Sequence, residues 1–383
     1  MRPAAIRSAG TDIGSDEVDE ATWLEAATAV IGRIDDPHTG KGLLEGGVVK
    51  KLARANERVS VAIQLGYPAA GWIPALREQL AAALAALDGG SAEGIEVEVT
   101  SRIAAHAVQK GLGPLPGVKN IIAVASGKGG VGKSTTSVNL ALALQAEGAR
   151  VGVLDADIYG PSIPRMLGVG GKPESPDGKR ILPKVGHGVQ AMSIGLLIEE
   201  DTPMIWRGPM ATQALQQLLG DTAWEALDYL VIDLPPGTGD IQLSLCQKIP
   251  VSGAVIVTTP QDIALLDARK ALRMFEKVEV PVLGIVENMA IHVCSNCGHA
   301  EHVFGSGGGE RMAQDYGVPL LGSLPLQRAI REGADSGNPT LVSAPDSPAA
   351  EAYRAIARAA AGRLSLRARN KAFGLPNIVV QNT

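Results

Sequence analysis

Three groups of residues in this 383-residue chain have the types and spacing to do chemistry. The first is Gly127-Lys128-Gly129-Gly130-Val131-Gly132-Lys133-Ser134-Thr135, which satisfies the phosphate-loop pattern G-x-x-x-x-G-K-[ST] from Gly127 to Ser134. Glycines let backbone N–H groups close around phosphate oxygens, Lys133 reaches the outer phosphates, and the Ser134 hydroxyl is a ligand for Mg²⁺. The second group is acidic. Asp155 and Asp157 follow one apolar run, and Asp233 ends another, Leu230-Val231-Ile232-Asp233. A carboxylate closing such a strand is the pattern of the residue that holds a Mg²⁺ shell, although a lone Asp at a strand end also serves as a turn former or helix cap. The third is Cys294-Ser295-Asn296-Cys297, a C-x-x-C turn that brings two soft thiolates to one metal, iron–sulfur or zinc.

The elements around the loop are of the kind it needs. Asn120-Ile121-Ile122-Ala123-Val124-Ala125 is a short apolar strand, and Ser134 to Ala146 reads as a helix carrying Val138, Leu140, Leu142 and Leu144. A helix N-terminus behind the glycines adds its positive dipole end. Further strands are expected at Arg150–Leu154, Tyr229–Asp233, Ala254–Thr258, Val282–Val286 and Leu320–Leu324. Their near-continuous Val/Ile/Leu content predicts strands covered on both faces. The fold class expected is α/β, a doubly wound, mainly parallel sheet of the P-loop NTPase type, with ligands beyond the strand C-terminal ends. Ser347-Pro348 reads as the cap and first position of a last helix presenting Tyr353, Ile356 and Ala360.

Ahead of that domain the pattern is α+β. A helix carries Leu24, Ala27 and Ile31, a strand alternates over Val59–Leu65, a helix runs from about Ile73 to Leu87, and a strand follows at Ile95–Val99. Gly111 to Gly117 breaks both periods. The division expected is a flexible lead-in at 1–20, a small α+β domain at 21–105, a linker at 106–118, the phosphate-loop domain at 119–365 and a tail at 366–383.

Composition bounds the class. Hydrophobic residues at 45% with 20% charged describe a globular chain, and a net charge of −5 argues against a dedicated nucleic-acid binder. The apolar runs are too short for a membrane span, and the first ten residues lack the core of a secretion signal. Three cysteines make no disulfide framework, so a reducing compartment, the cytoplasm, is expected. Cys246 reads as a small buried hydrophobe, Trp206 and Trp224 as core, and His106 and His187 as ordinary surface or packing residues.

A single C-x-x-C supplies half of a four-thiolate site. Either His299 and His302 close it, as in Cys₂His₂ zinc, or two chains each contribute one pair. A redox dithiol is a third reading.

Lys128, directly after the first glycine, resembles the deviant phosphate loop of ParA/MinD-like ATPases. Residues 119–365 as a whole resemble the Mrp/ApbC branch, the iron–sulfur cluster carriers. The matching runs are Gly127–Thr135, Asp155–Ser162, Arg207–Met210, Asp233–Asp240, Thr258–Gln261 and Glu287-Asn288-Met289. The resemblance implies ATP held by Gly127 to Thr135, Ser134 on Mg²⁺ with Asp155 and Asp233 supporting the metal shell, and Asp157 orienting the attacking water. It implies Lys128 reaching the partner's phosphates across a homodimer, and Asn288 facing the adenine. It also implies a cluster, of the four-iron, four-sulfur type, shared by Cys294 and Cys297 of both subunits. ATP binding and slow hydrolysis would then govern transfer to apo-proteins, with assembly scaffold proteins as further partners and neither nucleic acid nor membrane. Two other functions compete: a ParA/MinD-like positioning ATPase and an ATP-driven iron–sulfur electron-transfer reductase. Ile34 to Gly40 resembles the opening of a small domain found in iron–sulfur assembly factors. The loop Gly66–Trp72 lacks the cysteine common there, so partner docking or plain stabilisation is expected of it.

Overall fold

The computed structural model describes residues 15–55, 58–88, 90, 92–197 and 208–368. Trp206, Arg207 and nearly all of the expected tail lie outside them. The chain folds as two compact units, one of the residues up to Leu65 together with Gly71–Ser101, the other of Gly66–Ala70 together with the residues from Arg102 onward.

In the first unit, helix α1 (Ser15–Gly32) starts inside the stretch expected to be a flexible lead-in. The polar start carries no apolar period from which a helix could be read, and that signal begins only with Trp23, Ala27 and Ile31, which are buried. Strands β1 (Asp35–Asp36) and β2 (Lys41–Gly42) form a small hairpin, whose turn Asp36 shapes by accepting the His38 N–H at 2.9 Å. Strand β3 (Val49–Ala55) pairs antiparallel with β4 (Arg58–Leu65). Helix α2 (Ile73–Ala85) then crosses over to β5 (Ile95–Ser101), which runs parallel to β4. Val59, Val61, Ile63 and Leu65 bury one face of β4, and Leu76, Leu80 and Leu84 of α2 are fully buried at a spacing of four. Strand β3 was not anticipated, because Lys50, Lys51 and Arg54 break its alternation, as suits an edge strand.

The second unit opens with strand β6 (Val118–Ala125), helix α3 (Lys133–Ala146) and strand β7 (Val151–Asp155). The short helix α4 (Ile163–Met166) leads to the hairpin β8 (Lys184–Gly186) and β9 (Val189–Ser193). Then come α5 (Gly208–Asp221), β10 (Leu227–Asp233), α6 (Asp240–Lys248), β11 (Gly253–Thr258), α7 (Asp262–Lys277) and β12 (Val282–Val293). The last elements among the described residues are β13 (Ala300–Glu301), α8 (Gly308–Tyr316), β14 (Leu320–Pro325), α9 (Arg328–Asp335), α10 (Thr340–Ser343) and α11 (Pro348–Ser365). The sheet order is β13-β12-β11-β6-β10-β7-β9-β8, with β14 parallel to β12. Among the described strands of this sheet only β8 and β13 run antiparallel to their neighbours. The architecture is therefore the expected doubly wound, mainly parallel α/β sheet. Strand β6 lies at its centre, with β10 inserted between it and β7, which creates a switch point at its C-terminal end. Strands β6, β7, β10 and β11 are buried almost throughout, as continuous apolar runs require.

The segment before β6 is held in place: Asn120 Oδ1 accepts the His106 N–H at 3.0 Å, and its amide donates to Ala104 O at 2.9 Å. His106 is accordingly a buried, bonded residue, its Nδ1 2.9 Å from the same Asn120 oxygen, and His187 Nε2 lies 2.8 Å from Gly337 O. Ser347 caps α11 by accepting the Ala350 N–H, and Tyr353, Ile356 and Ala360 are buried as expected. Trp224 is core, its indole N–H donating to Leu219 O at 3.1 Å.

Candidate nucleotide and thiol sites

The phosphate loop leaves β6 at Ala125 and enters α3 at Lys133. Two of its glycines are dictated by close approach. A Cβ at Gly127 would collide with the backbone of Asp267 in α7, and one at Gly132, where φ is 82°, would collide with the Asn288 amide. The first N–H groups of a helix have no partner within it, which is the basis of anion binding at a helix start such as that of α3.

Behind the loop the side chains form one connected cluster. Lys133 is 6% exposed, and its Nζ lies 2.7 Å from Asp233 Oδ2 and 3.7 Å from Asp157 Oδ2. The Ser134 hydroxyl donates to Asp233 Oδ2 at 2.5 Å, and the Ser137 hydroxyl donates to Asp233 Oδ1 at 2.6 Å. A hydroxyl and a carboxylate converging on one point make a donor set of hard oxygens, which fits Mg²⁺. Ser137 was not singled out from the sequence. Its signal is there in retrospect, because it stands one helical turn after Lys133 on the same face.

Asp155 is fully buried and has a different part. Its Oδ1 accepts the Asp157 N–H at 3.1 Å, and its Oδ2 accepts the N–H groups of Ser162 at 2.9 Å and Ile163 at 3.1 Å and the Ser193 hydroxyl at 3.2 Å. These bonds shape the loop that carries Asp157. Burial raises the Asp155 carboxyl above its ordinary range, and the neighbouring Asp233 adds to the rise. Asp157 is also raised, first by burial, with Lys133 pulling the other way.

Asn288 reaches the loop from β12. Its amide donates to Val131 O at 2.8 Å, and its Oδ1 accepts the Met289 N–H at 2.9 Å. The β12–β14 register breaks between Glu287 and Ile291, and Met289 has φ of 57°. This bulge re-aims the strand at the site, a common use of bulges. The 234–239 segment is tied in as well, with the Gly237 N–H donating to Ser126 O at 3.1 Å. Helix α6, which follows it, buries Gln242 with neither amide atom hydrogen-bonded among the described residues. An unpaired buried amide of this kind costs about 1–3 kcal/mol.

Strand β12 runs well past Val286, where the sequence pattern predicted its end, and its extension carries the thiols. His292 pairs with Glu301 and Val293 with Ala300, closing a hairpin with Cys294 to Gly298 at its tip. The Cys294 N–H donates to His299 O, and the Gly298 N–H donates to Cys294 O, both at 2.9 Å. Cys297 is exposed and Cys294 half-buried. Hydrogen bonds from the Cys297 and Asn296 backbone, joined by the Cys297 thiol, lower the Cys294 thiol below its ordinary range, favouring the thiolate that binds metal. His302 Nδ1 is instead 2.7 Å from Ala290 O, back along the strand. Among the described residues no three His, Cys, Asp or Glu side chains gather in a way that would hold a metal. Cys246 is 1% exposed in α6, its thiol pushed up to about 12 by burial, as suits a core residue.

Comparison with known proteins gives the same two parts. Residues 117–361 match the family described as NUBPL iron-transfer P-loop NTPase, and residues 24–97 match the family described as iron–sulfur cluster assembly protein. An iron–sulfur cluster carrier protein of Pseudomonas fragi is 61% identical over 72% of this chain and 96% of its own length. The Escherichia coli K12 protein of that name is 58% identical over 76% of this chain and 78% of its own. The mouse iron–sulfur cluster transfer protein NUBPL is 52% identical over 66% of this chain and 79% of its own. Among solved structures, a nucleotide-binding protein of Archaeoglobus fulgidus in complex with ADP is similar, with a TM-score of 0.51 and 38% identity over 58% of this chain and 88% of that one.

Proposed function

Because the chain belongs to the NUBPL iron-transfer P-loop NTPases, we propose that it carries an iron–sulfur cluster on Cys294 and Cys297 and delivers it to apo-proteins under the control of ATP. The observation that carries this reading is that one strand serves both sites. Strand β12 holds the phosphate loop through Asn288 and, six residues on, presents the thiol pair at the tip of its extension. At about 3.3 Å per extended residue the two sites lie at most roughly 20 Å apart along the chain, and the bulge at Asn288 and Met289 brings them nearer.

ATP would bind along Gly127 to Thr135, with Lys133 leaving Asp233 for the outer phosphates. Mg²⁺, when bound, would neutralise charge developing on the phosphates, held by Ser134 and Asp233. Asp155 acts from behind that shell, fixing the loop from which Asp157 orients the attacking water. Asn288, already at the loop, would border the adenine. Phosphoryl transfer depends mainly on charge placement, so a second cation can gate it, and Lys128 of a second copy is the candidate. The surface supports a homodimer through this face. Tyr159, Met210, Ile263, Leu266, Val293 and Val303 are all exposed. Each belongs to a loop, hairpin or helix start at the C-terminal edge of the sheet, an apolar rim of the kind that marks an interface. Two such chains bring four thiolates to one cluster, the set that such clusters take. Among the described residues no helix is long and apolar enough to cross a membrane, and the cytoplasm is the compartment proposed.

Anaerobic reconstitution with iron and sulfide tests the reading. The wild-type chain should take up iron with cluster absorbance and pass it to an apo-acceptor, and Cys294→Ser with Cys297→Ser should take up neither. Uptake and donation unchanged in that double variant would overturn it.

A further inference from the structure

The excursion that carries the thiols starts and finishes on neighbouring residues of β12. On the way out, Asn288 donates to Val131 O at 2.8 Å, which fastens this foot to the phosphate loop. On the way back the chain passes His302, whose Nδ1 is 2.7 Å from Ala290 O, then the glycine-rich Gly305-Ser306-Gly307, and enters α8. There the Gly309 N–H donates to Glu287 Oε1 at 2.6 Å. The start of α8 is closely seated. A Cβ at Gly308 would lie 2.7 Å from Pro260 O, and one at Gly309 would lie 3.0 Å from the Glu287 Cβ. Both feet of the excursion therefore stand on Glu287 and Asn288.

Glu287 is 5% exposed and stands in register with Thr258 of β11 and Ser323 of β14, so its backbone is held on both sides by the sheet. Gly307, at the cap position of α8, has no side chain to satisfy the first N–H groups of the helix. A carboxylate from β12 takes that part, at the end of the helix where the dipole favours negative charge. A charged acceptor makes such a bond roughly twice as strong as a neutral one. We propose that Glu287 is a positioning residue for cluster release: by clamping the start of α8 it makes both limbs of the thiol hairpin follow Asn288 when nucleotide displaces the phosphate loop. Without the clamp the returning limb stays behind, and the glycine-rich turn absorbs the displacement before it reaches Cys294 and Cys297. The proposal rests on the nucleotide and cluster readings above and names the residue that joins them.

Cluster-loaded full chain, mixed with an apo-acceptor with and without ATP and Mg²⁺, tests it. Donation is followed by cluster absorbance, and visible circular dichroism of the loaded chain reports cluster geometry when a non-hydrolysable ATP analogue is added. In the wild type ATP should change the rate and the analogue should change the spectrum. Glu287→Ala should still load the cluster and bind nucleotide, and should lose both responses. Glu287→Gln, which keeps an acceptor oxygen for the Gly309 N–H, should restore them. Glu310→Ala removes an exposed carboxylate from the first turn of the same helix and should keep both, which separates the clamp from plain helix stabilisation. Responses that survive in Glu287→Ala, or that vanish in Glu287→Gln or Glu310→Ala as well, overturn the proposal. Failure of Glu287→Ala to load a cluster would make the residue structural and overturn it too. A wild-type chain that donates its cluster but ignores ATP brings down the nucleotide control proposed above, and one that loads no cluster brings down the cluster reading.

Discussion

The two chemical sites are built in opposite ways. Around the phosphate loop, Lys133, Ser134 and Ser137 crowd one buried carboxylate, and four donors occupy Asp155. The thiol hairpin is a pair of backbone hydrogen bonds at the tip of a two-residue ladder, with Cys297 in solvent. Hydrolysis needs charges held still in a water-poor site, whereas a cargo that must be loaded and released needs open access. The comparison teaches that stability and chemistry are entangled at the first site and separable at the second.

Substitutions break or sharpen that contrast. The largest effect is expected for Lys133→Gln. Phosphate release should fall about 10²–10³-fold, and unfolding should become easier by roughly 3–5 kcal/mol, because Asp233 is left buried without its cation. A variant that lost hydrolysis with its melting temperature unmoved would show that the cluster is not structural. Ser137→Ala comes next. Removing one donor to Asp233 Oδ1 should cost about 1–3 kcal/mol, seen in denaturant titration, with a smaller loss of rate than Lys133→Gln.

The pH dependence of the nucleotide-free protein is a finer test. Asp155 is raised from 3.8 to about 7, chiefly by burial, so the folded chain binds its proton more tightly than the unfolded one. Its contribution to stability is therefore greatest at low pH and is lost as pH rises through that window, by at most about 1.4 kcal/mol per unit. Melting curves across the range should show that slope flattened in Asp155→Asn, and parallel slopes would refute the assignment. The smallest effect belongs to the hairpin. Cys294→Ser with Cys297→Ser should leave stability within about 0.5 kcal/mol, because Cys297 is exposed and the half-buried Cys294 sits at a hairpin tip outside the core, while abolishing iron uptake.

Particular residues show where sequence reasoning reached and where it stopped. The loop from Gly127 to Thr135 and the strand ending at Asp233 were readable because both are local patterns with a chemical reason for their spacing. Strand β9, which supplies Ser193 to Asp155, was not read, since five residues amid glycine-rich sequence give little period. The length of β12 was missed for a related reason: the turn of chain at Asn288 and Met289 interrupts the apolar run, although the strand continues beyond it to the cysteines. The first unit was readable where burial alternates, in β4 and α2, and not in the charged edge strand β3.

Sequence alone determined which chemistry was available: a phosphate loop, acids at strand ends and one thiol pair, with a doubly wound sheet to carry them. Tertiary structure decided the partnerships, namely that Ser137 joins Asp233, that Asp155 turns its oxygens to a neighbouring loop, that Asn288 reaches Val131, and that Glu287 holds the start of α8. The physical reason is range. Periodicity and turn chemistry act over a few residues, whereas a hydrogen bond such as Ser137 to Asp233 or Asn288 to Val131, 96 and 157 positions apart, exists only once the sheet has set its strand order.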